Sequence, residues 1–141
     1  MTVTRRRLLW HGMALFLAGL LTGLVEQHFA NPRMGLAAHL EGVMNGTFVL
    51  VVGAVWQELQ LVQRLETIAF RGLLYGSYAN WFVTTLAAAW GTLGMTPIAS
   101  TGLGASRWQE VLVTGGFVSV GIAMLASSGL ILYGLRRRSP V

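Results

Sequence analysis

The sequence predicts an all-α integral membrane protein, a bundle of four transmembrane helices with both termini in the cytoplasm, and three observations lead there. Hydrophobic residues make up 54% of the 141-residue chain and charged residues 11%, about half the charged share of an average soluble domain. That leaves too little polar surface to cover a water-soluble globule. Crossing a bilayer as a helix takes about 20 apolar residues, and four runs reach that length. The third observation is where the arginines fall, at the ends of these runs and mostly on one side.

The first run covers about residues 8–25 and follows Arg5, Arg6 and Arg7. It is too long for a signal-peptide core and lacks a small-residue cleavage site, so it is expected to stay as a span. The second, 36–56, follows a short turn with Asn31-Pro32. The third, 68–90, follows the polar link 57–67, and the fourth is 111–135. All four runs are continuous, unlike the alternating ten-residue segments of a membrane β-barrel. The link 91–110 is rich in Gly, Ser and Thr. A connection that long in so small a protein either caps a site or moves freely, and spacing leaves both open. The whole chain, 1–141, reads as a single domain.

Small residues mark expected packing seams: Gly19 with Gly23, Gly42 with Gly46, and the ridge Gly115, Ser119, Ala123 and Ser127. Such spacing lets helix backbones approach closely in lipid. Whether a seam serves the internal bundle or a neighbouring protomer does not follow from spacing; internal packing is the default.

All ten basic residues are arginine, and the net charge is +5. Six of the ten lie in two triplets, 5–7 and 136–138, each beside an apolar run. No basic stripe with interleaved aromatics exists, so nucleic-acid binding is excluded. Arg5, Arg6, Arg7, Arg64, Arg136, Arg137 and Arg138 share one side with Arg71 near it, against Arg33 and Arg107 on the other. The positive-inside rule therefore places both termini in the cytoplasm, in a bacterial inner membrane. The absence of cysteine excludes disulfides, thiolate metal sites, iron–sulfur clusters and covalently attached haem.

Ionisable groups inside a membrane are costly and become functional candidates. His39, Glu41 and Asn45 lie in the second run, and Tyr75, Tyr78, Asn80, Thr84 and Thr85 in the third. His11 and His28 sit at run ends and read as interfacial. At about 100° per residue, His39, Gly46, Leu50 and Gly53 share a helix face. Glycines beyond a bulky imidazole leave a slot in which a flat cofactor fits, with the ring as axial ligand. A helix-pairing hydrogen bond is the competing reading of His39. Asn45 lies about 120° round and about 9 Å along from His39, so the two face different neighbours. Tyr75, Tyr78, Phe82 and Thr85 share a face, either as packing or as a substrate platform. An amide in hydrocarbon demands partners, which singles out Asn80. Glu41 is either a proton donor or a boundary carboxylate in reach of water.

The blocks Asn31-Pro32-Arg33-Met34-Gly35-Leu36, Ala38-His39-Leu40-Glu41-Gly42, Asn45-Gly46-Thr47-Phe48, Tyr75-Gly76-Ser77-Tyr78-Ala79-Asn80-Trp81-Phe82 and Ala88-Ala89-Trp90-Gly91-Thr92 occur in this order. They resemble the hydroxylaminobenzene mutases over nearly the whole chain. A more distant resemblance is to styrene oxide isomerase, through His39 with Asn45-Gly46 six residues on and through Tyr78-Ala79-Asn80. That second resemblance implies a trimer holding haem b, with His39 as the iron ligand and Asn45 lining the reaction pocket; Gly42 and Gly46 are the glycines expected beside that cofactor. One departure is that a tyrosine acting in the epoxide isomerase falls on Thr84.

The first resemblance implies a membrane isomerase that rearranges phenylhydroxylamine to 2-aminophenol by an intramolecular hydroxyl shift, and the second adds ferric haem as its Lewis acid. In that reading Asn45 and Asn80 orient the substrate, Glu41 shuttles protons and Tyr75 or Tyr78 stacks on the arene. Because His39 and Asn45 face apart, Asn45 is expected to reach the pocket from an adjacent protomer. Two other readings fare worse. A small multidrug transporter needs a mid-span acid in its first helix, and residues 8–25 hold none. A bis-histidine haem subunit needs a second histidine within a span, and only His39 is placed there.

Overall fold

The computed structural model describes residues 3–136. Arg137 and Arg138 lie outside the described residues. Four helices, α1 (Val3–Val25), α2 (Pro32–Val55), α3 (Gln63–Trp90) and α4 (Arg107–Arg136), make up the fold, with 3-10 turns at Glu26–His28 and Trp56–Glu58. No strand occurs among the described residues. The helices start four or five residues before the expected spans and end within a residue of them. An apolar window counts only what lipid must solvate, whereas the helix runs on into the polar boundary.

Local chemistry sets the ends. Asn31 is the N-cap of α2, its side chain accepting from Met34 N at 3.2 Å, and Pro32 takes the first helical position. Capping by Asn satisfies an orphan amide, and proline there costs none. Gly91 ends α3 in the left-handed region at φ 66°, where its N–H reaches Ala87 O. Glycine accepts that conformation without a Cβ clash.

α1, α2 and α4 are long and apolar enough to cross a membrane. α3 has the length, at 28 residues, but falls short in apolarity because it carries Arg64, Glu66, Arg71, Ser77, Asn80, Thr84 and the aromatic donors Tyr75, Tyr78, Trp81 and Trp90. Packing makes that tolerable, since Ser77 and Thr84 are buried among the other helices. The bundle's outer surface is apolar, with Leu24, Ile122, Leu125 and Leu132 all exposed. Lipid suits that surface, and a membrane helical bundle results.

The helices pack in chain order, most extensively as the pairs α1–α2 and α3–α4, joined through α2–α3. Arg5 donates to Gln57 Oε1 at 3.5 Å, and Gln60 N donates to Gly134 O at 3.2 Å. The start of α1, the end of α2, the start of α3 and the end of α4 therefore share one end. One apolar cluster lies there, built on Leu8, Val49, Val52, Trp56, Ala69, Leu73 and Ile131. A second, built on Met34, Val83, Ala87, Ala88 and Val113, lies at the opposite end. The polar residues of α2 and α3 fall between the two.

The long third link is fastened. Asn31 Nδ2 donates to Ser100 Oγ at 2.9 Å and to Ala99 O at 3.2 Å. Glu110 accepts from Leu93 N at 2.7 Å and Gly94 N at 2.9 Å. These bonds anchor the link, which is not the free loop that its length left open.

Candidate active site

Glu41 stands on α2 with Asn45 one turn further on. The Asn45 amide donates to Glu41 Oε2 at 2.9 Å, and Asn80, across on α3, donates to the same oxygen. An amide buried in a membrane needs a partner, and here two amides find it in one carboxylate. The other oxygen, Oε1, has no hydrogen-bond donor among the described residues. The three residues thus form a polar centre between the two apolar clusters, with one carboxylate oxygen left to act.

Thr84 adjoins this centre but spends its hydroxyl on the backbone, donating to Asn80 O at 2.8 Å. The tyrosines do not join it. Tyr75 is exposed, with its hydroxyl 2.8 Å from Ser119 Oγ on α4. Tyr78 turns the other way, donating to His11 O at 3.2 Å with His11 Nδ1 equally close. The expected shared face fails because three residues rotate a helix by about 300°, enough to hand the two rings to different neighbours. His11, read as interfacial, is a partner of Tyr78.

His39 faces α1, on a different side of α2 from Asn45, as the spacing predicts. Its Nδ1 lies 2.8 Å from Gly19 O. A carbonyl only accepts, so Nδ1 carries the proton. The helix-pairing hydrogen bond is therefore present, and Nε2 has no partner among the described residues. The imidazole borders an open groove of about 560 Å³ lined by Leu17, Leu20, Leu21, Leu24 and Leu36 together with Gly23 and the acidic Glu26.

The slot expected beside the ring is filled. Gly42 packs on the Gly19 backbone, Gly46 on the Phe16 backbone, and Gly53 on Leu8 and Leu9. Gly12 meets Leu50 on the same face. Helix α1 occupies the whole glycine face of α2, so Gly42 and Gly46 serve a helix seam and do not line a cofactor slot. Trp81, which sequence reasoning passed over, closes the seam from α3, donating to Thr22 Oγ1 at 3.0 Å beside Gly42. A tryptophan N–H at bilayer depth calls for an acceptor, and that was the available signal.

The residues around His39 can be tested for a haem. A ligating histidine normally donates its second ring N–H to a carbonyl or carboxylate. His39 makes that bond to Gly19 O, and its ring borders a groove whose lining is mostly leucine, with Glu26 at its edge. The residues fit through the groove on the α1 side, and not through the glycine slot.

The sequence that builds this centre is similar to that of known proteins. The styrene oxide isomerase family model matches residues 4–136. Hydroxylaminobenzene mutase HabB of Ectopseudomonas oleovorans is 48% identical over 132 residues, covering 93% of this chain and 80% of that protein. Hydroxylaminobenzene mutase HabA of the same organism is 39% identical over 127 residues, 89% of this chain and 94% of that one. No solved structure matches the chain. With a family match from the first turn of α1 to the end of α4, and two mutases aligned over most of its length, the chain belongs to the styrene oxide isomerase family of membrane isomerases.

Proposed function

We propose that this isomerase rearranges phenylhydroxylamine to 2-aminophenol by an intramolecular hydroxyl shift in a bacterial inner membrane. The names of the two mutases support the substrate class. The observation that carries the chemistry is the convergence of Asn45 and Asn80 on Glu41 Oε2, which leaves Oε1 for proton transfer.

The reaction has no net redox change. The N–O bond breaks with its electron pair on oxygen, leaving a nitrenium delocalised onto the ring. The same oxygen then bonds the ortho carbon, giving a cyclohexadiene imine. Loss of the ortho proton restores aromaticity, and the imine nitrogen gains a proton. Glu41 is the group that carries this proton from carbon to nitrogen, a general acid–base role. Asn45 and Asn80 hold the carboxylate still, so that it need not reorient during transfer. The surrounding apolar clusters keep bulk water from capturing the cation. Haem b, held by His39 Nε2, supplies when bound the Lewis acidity that helps a poor leaving group depart.

In one protomer His39 and Asn45 face opposite neighbours, so a site using both is completed by a second copy of the chain, in a trimer by family resemblance. Purified protein given phenylhydroxylamine in oxygen-labelled water is expected to yield 2-aminophenol without label. Solvent label in the product sinks the intramolecular shift. The family model favours one second reading, epoxide isomerisation; turnover of styrene oxide but not of phenylhydroxylamine decides for it.

A further inference from the structure

A helical carbonyl is normally covered by the side chain one turn ahead, because Cβ atoms lean towards the N-terminus. On α1 the residue one turn beyond Gly19 is Gly23, which has none. Gly19 O can therefore accept its helical partner and a second donor from outside the helix. His39 Nδ1 is that donor, at 2.8 Å. The fit leaves no spare room. A Cβ on Gly23 would stand 2.6 Å from His39 Nδ1 and 3.0 Å from Cε1. Gly19 in turn lies against α2, where its own Cβ would stand 2.6 Å from the Gly42 carbonyl carbon. Helix packing alone explains Gly19. It does not explain Gly23, whose missing side chain faces the imidazole ring itself.

We infer that Gly19 and Gly23 are positioning residues for His39: the Gly19 carbonyl fixes the Nδ1–H tautomer, and Gly23 uncovers that carbonyl and makes room for the ring. The free lone pair is thereby placed on Nε2 of a ring that borders the groove. The hydrogen bond also strengthens Nε2 as a donor to a metal. This inference rests on the proposed role of His39 as haem ligand. Gly23 serves the ring in a way that spacing alone cannot reveal, because two glycines four apart look the same whether they seat a helix or a side chain.

The test reads spectra and haem retention. Wild type, His39→Ala and Gly23→Ala are purified, loaded with haem and compared by Soret absorption, haem retention and the iron–histidine stretch of the reduced form. His39→Ala is expected to lose the band. Gly23→Ala is expected to retain haem about 10- to 100-fold less tightly, the usual cost of losing a ligand's supporting partner, with the stretch moved to lower frequency. If Gly23→Ala does not fold, the tautomer decides: haem-free wild type with isotope-labelled histidine is expected to show His39 protonated on Nδ1. No Soret band in wild type removes the cofactor reading and the positioning role with it. A normal band and an unshifted stretch in Gly23→Ala, or His39 protonated on Nε2, overturns the positioning role alone.

Discussion

Asn45 sits one turn beyond Glu41 on α2 and donates its side-chain amide to Glu41 Oε2 at 2.9 Å, so the carboxylate is gripped from its own helix before Asn80 reaches it from α3. Two donors on one oxygen fix the carboxyl plane and leave Oε1 as the working atom. Glu41→Gln keeps the shape but cannot cycle a proton. It is expected to lower kcat by about 10²- to 10⁴-fold, the range for a general acid–base residue, with little change in KM or haem content. Steady-state turnover of phenylhydroxylamine with a parallel absorption spectrum checks this, and unchanged kcat removes Glu41 from the proton path.

His39 and Asn45 face apart on α2, which makes the proposed site one shared between copies. Chains carrying His39→Ala alone or Asn45→Ala alone are each expected to be inactive. Co-expressed, some interfaces of the mixed oligomers pair a good histidine with a good asparagine, and part of the activity is expected back. No regain over either single variant counts against a shared site.

The seam between α1 and α2 tolerates no added methyl group. In Gly46→Ala the new Cβ meets the Phe16 backbone, which cannot rotate away. Overpacking of this kind costs about 1–3 kcal/mol. Gly115→Ala is the control, since nothing lies within 4 Å of its Cβ position. Replacing that helical glycine gains up to about 1 kcal/mol. Unfolding in detergent is expected to rank Gly115→Ala at or above wild type and Gly46→Ala below it.

Glu110 holds the long loop by its carboxylate on Leu93 N and Gly94 N. Glu110→Ala removes both acceptors while leaving the helix packing untouched. Faster hydrogen exchange is expected at Leu93 and Gly94 and not in α1 or α2. Unchanged exchange at these two amides means that Asn31 anchors the loop without Glu110.

The cysteine-free chain suits a topology test with single introduced cysteines. Thr101 lies in the loop at one end, and Glu58, exposed beside the α2–α3 turn, at the other. By the distribution of arginines, Thr101→Cys is expected to react with an impermeant maleimide in intact cells and Glu58→Cys only after lysis. The reverse pattern overturns the cytoplasmic placement of the termini.

The sequence by itself determined the helical membrane class, the helix ends at Trp90 and near Val55, the turn at Asn31-Pro32 and the different faces of His39 and Asn45. Each follows from local facts: how long a chain stays apolar, where Asn-Pro breaks it, how far six residues turn a helix. The short list Glu41, Asn45 and Asn80 was also legible, because polar groups are scarce at bilayer depth. Only the tertiary structure decided who meets whom. It put α1 into the glycine face of α2, sent Tyr75 to Ser119 and Tyr78 to His11, and turned Gly23 towards the imidazole of His39. Those pairings depend on which helices are neighbours and how each is rotated about its axis. Spacing alone does not rank the glycine seams, and the packing of the whole bundle makes the choice: Gly42 and Gly46 meet α1 while Gly115 meets nothing.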